Sequence, residues 1–223
     1  MGVSCIIPAY NEAPRIAAVL ETVVGHPLID EVIVVDDGSS DGTAAVAAQV
    51  PGIRLIRQSP NRGKSWAVSV GIEAAHHELI LLLDSDLLGL APEAIAALIA
   101  PVQAGRADVA ISLRGNAPWP WRLIGLDYIS GERVLRRALI GEPQALRALP
   151  RFGLEMHLNR RLIAARARLA VVRWPGVASP WKGAKRGRLA GVLADIRMLA
   201  DMFRTVPLHR AVGQIVAMRG LAA

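Results

Sequence analysis

Asp84 and Asp86 stand one residue apart, directly after the apolar run Leu81-Leu82-Leu83. Hard cations such as Mg²⁺ and Mn²⁺ are bound by one or two carboxylates together with phosphate oxygens of a substrate, and aspartates at i and i+2 beyond a strand end can supply those ligands. The same pair could equally be a solvated turn that stops the strand. Three more polar clusters follow apolar runs: "IIPAYNEA" at 6–13, "VVDDGSSDGT" at 34–43 and "NRGKSWAVSVGIEAA" at 61–75. In the second, Asp36 and Asp37 leave the run, Gly38 permits a tight turn and Asp41 can cap the next helix. In the third, Gly63 allows close backbone approach, and Lys64 could meet phosphates near a helix N-terminus. Further on, Glu155 is the best remaining carboxylate for meeting a hydroxyl, as a base or as a ligand.

These residues need elements that bring them together. Segments 3–7, 31–35, 53–56, 79–83 and 109–113 are near-continuously apolar, as parallel strands buried on both faces are. Between them, 12–24, 41–49, 64–75 and 92–103 carry helical spacing or start signals, Pro92 at a first turn among them. The alternation predicts an α/β fold with a mostly parallel sheet and crossover helices, whose ligands bind at the strands' carboxyl ends. The four polar clusters fall at four such ends. After residue 113 the rhythm breaks: 116–121 is rich in Pro and Trp and reads as a loop, 131–139 and 153–165 read as helical, and 169–173 could be one more strand. Residues 188–204 form an amphipathic pattern suited to packing on the domain or lying on a membrane interface.

The chain has 223 residues, enough for one large domain, with 52% apolar residues. The lone Cys5 fits a reducing compartment, no signal peptide pattern opens the chain, and no window approaches the ~20 apolar residues of a membrane-spanning helix. A cytoplasmic location is expected. Residues 1–150 carry 12 Lys and Arg against 16 Asp and Glu, whereas residues 151–223 carry 14 against 3. The basic C-terminal part suits an anionic partner: a phosphorylated substrate or an acidic membrane surface. Nucleic acid is disfavoured, since no zinc-finger, helix-turn-helix or RNP pattern accompanies the charge.

Taken jointly, the order and spacing of these clusters over about residues 3–113 resemble glycosyltransferase family 2. The resemblance implies a GT-A fold, a mostly parallel Rossmann-like sheet flanked by helices with a helical acceptor-side C-terminal part. It implies a single domain, 1–223, with 1–115 binding a nucleoside diphosphate sugar and 116–223 an acceptor. In "PAYNE" it implies backbone contacts around Pro8 and Ala9, Tyr10 against the base and Glu12 on the ribose. It makes Asp37 or Asp36 an acceptor for the base and Lys64 a phosphate or base contact, although members often have a second Gly where Ser65 stands. "LLLDSD" occupies the place of the family's DxD motif: Asp86 would hold Mg²⁺ or Mn²⁺, Asp84 would bind metal, ribose or sugar, and Ser85 would lie on the donor.

On the acceptor side, "ISGERVLRR" at 129–137 resembles the family's SGxR segment, with Ser130, Gly131 and Arg133 at the acceptor. "RFGLEMHLNRRL" resembles a GxGxExxLN helix carrying Glu155, and "WPGVASPWKGAKRG" resembles a GVxHxxKxxKxG segment carrying Lys182 and Lys185. Ser179 and Pro180 stand where that last pattern has a His. The expected activity is metal-dependent hexose transfer to a phosphorylated, saccharide or polyprenyl-phosphate acceptor. Donor identity, inversion or retention, a homodimer and peripheral contact with the inner face of the membrane are left open. The rival from another class is a nucleotide-sugar- or membrane-binding module without turnover, which the missing His favours.

Overall fold

A computed structural model of the chain describes residues 1–149, 153–180 and 208–222. Seven strands form one sheet: β1 Val3–Ala9, β2 Glu31–Asp36, β3 Ile53–Arg57, β4 Leu79–Leu82, β5 Val109–Arg114, β6 Arg133–Arg136 and β7 Leu169–Trp174. Their order is β3-β2-β1-β4-β6-β5-β7, and β6 alone runs antiparallel to its neighbours. The helices are α1 Ile16–Val23, α2 Thr43–Ala48, α3 Lys64–Ala74, α4 Pro92–Gln103, α5 Trp119–Ile124, α6 Arg137–Ile140, α7 Gly153–Ala164 and α8 Leu208–Leu221.

Successive residues of a strand point to opposite faces, and the sequence fills both. Ile6, Ile33, Ile80 and Leu82 join Val68 and Ile72 of α3 and Leu154 and Leu158 of α7 in one core. Cys5, Ile7, Val34 and Leu81 join Leu20 of α1 and Leu98 and Ile99 of α4 in the other. This burial on two sides explains why the strands lack polar alternation. It also brings the carboxyl ends of β1, β2, β4 and β5 to one edge of the sheet, together with the start of β6, because Arg133 pairs with both Leu82 and Ile111.

Two expectations are corrected and one helix is added. Residues 131–139, read as helical, contain β6 followed by the single turn of α6. Val134 and Leu135 are wholly buried between β4 and β5, so pairing on both sides overrides the helix-forming Leu and Arg. The Pro/Trp stretch read as a loop starts α5, with Pro at the first turn, where its missing N–H costs nothing. α8, unforeseen, packs on α7 and buries Ala211 and Met218. The amphipathic pattern at 188–204 lies outside the described residues.

Candidate active site

The two loops leaving β1 and β2 are sewn to each other by backbone donors and short polar side chains. Asn11, at φ 55°, accepts the Ser40 amide at 2.9 Å through Oδ1, and its own amide donates to Ser39 Oγ at 2.9 Å. The amides of Glu12 and Ala13 donate to Thr43 Oγ1 at 2.8 Å and Asp41 Oδ2 at 3.2 Å. The hydrogen bond from Thr43 holds the Asp41 carboxyl below its usual range. Asp41 is thus a structural clasp across the loops. Within this frame Tyr10 is half exposed, as a base-stacking surface requires, whereas the Glu12 carboxylate is paired with Arg15 at 2.8 Å. Pro8 and Ala9 are the last two residues of β1.

Asp36 and Asp37 are both buried but differ in what they hold. Asp36 accepts the Ser39 amide at 3.3 Å and lies 3.9 Å from Arg57. Asp37 accepts the amides of Arg62 and Gly63, one on each oxygen, at 2.9 and 2.6 Å. The loop before α3 therefore hangs on Asp37. Gly38 completes the junction: its φ is +73°, and a Cβ there would lie 2.8 Å from the Asn61 amide nitrogen.

That loop sets Lys64 at the first position of α3, reaching across to the end of β4. Its Nζ lies 2.7 Å from Asp84 Oδ1 and 3.3 Å from Glu155 Oε1, in the first turn of α7. Burial opposes the Lys64 charge, but Asp84 and Glu155 outweigh it and hold the ammonium above its ordinary value. Burial likewise works against the Asp84 charge, and Lys64, with help from Arg114 and Arg133, keeps its carboxyl below the usual range. Gly131 lies against this pair: a Cβ there would stand 2.7 Å from Lys64 Nζ and 2.8 Å from Asp84 Oδ1. Only glycine leaves that space.

Asp86 is in the opposite condition. Burial first, then the charges of Asp84 and Glu12, push its carboxyl up to about 6, with only a partial offset from Lys64. Ser85, between the two aspartates, is buried. No three carboxylate, imidazole or thiol side chains form a cage among the described residues. Two hard carboxylates, one of them undercompensated, fit a divalent cation whose remaining ligands come from phosphate oxygens or water.

Beneath this edge lies an ion network that sequence reading missed. Asp127, Glu132 and Arg133 are wholly buried. Glu132 Oε2 accepts from Ser112 and Ser130, each at 2.8 Å, and lies 3.5 Å from Arg114 Nε. Arg114 also meets Asp127 at 3.3 Å and donates to Ser179 Oγ. Arg133 donates to Asn159 Oδ1 at 3.2 Å and to the Ser130 carbonyl, while Asn159 donates to the Tyr128 carbonyl at 2.9 Å. Burial raises the Asp127 carboxyl to about 6 despite Arg114, and lowers Arg133 despite the carboxylates around it. Ser130 and Arg133, expected at the acceptor, are thus occupied with each other and with α7, immediately behind Gly131. Residues 178 and 88 bridge through their backbones at 2.8 and 3.0 Å, which sets Ser179 close behind the Asp86 loop. Lys182 and Lys185 lie outside the described residues.

The family model described as "Glycosyl transferase family 2" matches residues 4–163. The chain belongs to glycosyl transferase family 2. All four strand-end clusters and Glu155 fall within the family span. A dolichyl-phosphate beta-glucosyltransferase of Trichomonas vaginalis is 39% identical over 94 residues, 36% of this chain and 28% of that protein. An undecaprenyl-phosphate 4-deoxy-4-formamido-L-arabinose transferase of Aeromonas hydrophila is 37% identical over 128 residues, 53% of this chain and 39% of that protein. This family member therefore spans well under half the length of these curated relatives. Among solved structures, glucosyl-3-phosphoglycerate synthase of Mycobacterium tuberculosis, in complex with Mn²⁺, UDP-glucose and phosphoglyceric acid, superposes with a TM-score of 0.71 at 22% identity, covering 96% of this chain and 79% of that one. The superposition establishes the GT-A fold.

Proposed function

We propose that this chain transfers a hexose from a nucleoside diphosphate sugar to a phosphorylated acceptor, a polyprenyl phosphate in particular, with Mg²⁺ or Mn²⁺. The observation that carries the reading is the meeting of Lys64, Asp84 and Glu155 at one point of the sheet edge, two residues from the undercompensated Asp86. The names of the relatives, both transferases acting with lipid phosphates, support the acceptor class.

In this reading residues 1–115 hold the donor and 116–223 the acceptor. Tyr10 lies on the base, Glu12 meets the ribose, and Asp36 accepts from the base edge while Asp37 keeps its loop in place. Asp86 and Asp84 would hold the divalent cation, whose chemistry there would be to offset the charge of the departing diphosphate. Lys64 adds a positive charge on the same side and keeps Asp84 ionised. Glu155, at a helix N-terminus that favours its negative charge, accepts from the acceptor and aligns it with the anomeric carbon. A phosphate acceptor is already anionic and needs no protein base. Gly131 leaves room for the Lys64–Asp84 pair, and Ser130 and Arg133 position it from behind. The basic C-terminal part, with Lys182 and Lys185, draws the anionic acceptor in, at the inner face of a membrane.

A nucleotide-sugar-binding module without turnover is the alternative, favoured by the Ser179 hydroxyl being engaged by Arg114 where the resemblance expects a His. The deciding experiment screens nucleoside diphosphate sugars by thermal shift with and without Mn²⁺, then measures sugar release and transfer to polyprenyl phosphate. Mn²⁺-dependent stabilisation followed by transfer supports the enzyme; stabilisation with no release from any stabilising donor supports the binding module.

A further inference from the structure

Seven large apolar side chains are exposed among the described residues, and four of them share two neighbouring helices: Trp119 and Leu123 of α5, at 58% and 78%, and Val212 and Val216 of α8, at 50% and 67%. Between the helices lies a hollow lined by Ile124, Ile215, the two valines and Arg219. The inner sides of both helices are fixed: Trp121, Ala211 and Met218 are buried, and Tyr128, packed against Trp121 at 5.9 Å, donates through Oη to Gln214 of α8. The outward face is therefore a rigid apolar platform, and contiguous patches of this kind mark interaction surfaces.

The charges around it select the partner. α5 contributes Arg122, and α8 contributes Arg210 and Arg219, all exposed, and neither helix contains a single carboxylate. An apolar face with an indole, on two helices whose charged residues are all arginines, matches the interface of a bilayer carrying anionic headgroups. No described helix is long and apolar enough to cross a membrane, so the match is to lying on the surface. α5 also starts five residues after the end of β5, at the same sheet edge as Asp84 and Asp86. We infer that the α5–α8 face seats the protein on an anionic membrane surface, with the sugar-transfer edge turned toward the lipid phosphates there; the orientation rests on the lipid-phosphate reading above, the contact itself does not.

The test is flotation with phosphatidylcholine vesicles, with and without phosphatidylglycerol. The wild-type chain floats with the phosphatidylglycerol vesicles. The double variant Leu123→Glu/Val216→Glu, altered only at exposed positions, partitions about a hundredfold less, roughly tenfold for each apolar side chain that no longer enters the bilayer. Arg122→Gln/Arg219→Gln loses about fivefold per charge on phosphatidylglycerol vesicles alone. Absence of flotation by the wild type overturns the inference, as does undiminished flotation of the Leu123→Glu/Val216→Glu variant. So does a wild-type dimer that these two substitutions split without affecting flotation, since the occupant is then a second copy. Mn²⁺-dependent nucleotide-sugar binding is read on the same samples. Its retention in a variant that no longer floats supports the surface. Its absence in a wild type that does float sinks the transfer reading and leaves the surface standing.

Discussion

The block of β1, β2, β4 and α3 and the block of β5, β6 and α7 meet at Lys64, and they are built by different means. The first is held by backbone amides on short polar side chains: Asp37 carries Arg62 and Gly63, and Asn11, Asp41 and Thr43 tie the loops. The second adds a network of charged and polar side chains, with Asp127, Glu132 and Arg133 wholly out of solvent. Amide clasps fix loop backbones and leave the side chains above them available for a ligand. Buried ion networks fix side chains, and they are costly unless every charge is met. The arrangement teaches that the residues proposed for the donor are presented on loops, while those proposed for the acceptor are presented from a rigid ionic floor.

The largest break should come at the undercompensated carboxylate. Asp86→Ala is expected to lower metal-dependent turnover about a thousandfold with the fold intact by circular dichroism, and turnover within a few-fold of wild type would end its assignment as a metal ligand. Next comes the contrast itself. Arg114→Ala strands the buried carboxylates of Asp127 and Glu132 and should cost about 3–5 kcal/mol in urea unfolding, whereas Asp37→Asn should cost about 1–2 kcal/mol. Equal costs would erase the distinction between the two blocks.

The ionic floor should also show in pH dependence. The Asp127 carboxyl titrates near 6 in the folded chain instead of near 3.8, so the folded state binds more protons through that window and stability falls as pH rises across it. Asp127→Asn should remove about 2 kcal/mol of that fall, read from urea midpoints between about pH 4 and pH 6; an unchanged slope would place the charge elsewhere. The smallest effect sits at the seam. Gly131→Ala must displace the Lys64 ammonium and the Asp84 carboxylate, 2.7 and 2.8 Å from the new Cβ, and should cut turnover about tenfold, about 1.4 kcal/mol, with little loss of stability. Equal losses of both would make Gly131 a packing residue only.

The same contrast explains what the sequence disclosed. The parallel strands and their polar ends were legible because each is local: an apolar run, then Gly, Asp or Asn permitting a turn. Lys64 could be placed near a helix N-terminus for the same reason. Arg114, Asp127 and Glu132 could not, because isolated charges in a chain read as solvated until distant strands close over them. The four residues of β6, with an arginine at each end, are too few for a periodicity, and their burial comes from β4, β5 and α4. Gly213 and Gly220 obscured α8, whose order depends on packing against α7.

The antiparallel β6 has a consequence for the order in which the molecule can be assembled. β3, β2, β1 and β4 can pair as soon as residue 82 has been made, but β5 emerges next and has no place beside them. It must wait for residues 133–136, which form the seam on both sides. Until then the β4 edge is unpaired, and an open edge along the apolar Leu79–Leu82 is exposed to aggregation. The short strand that carries Arg133 into the site is thus also the piece whose arrival closes the sheet.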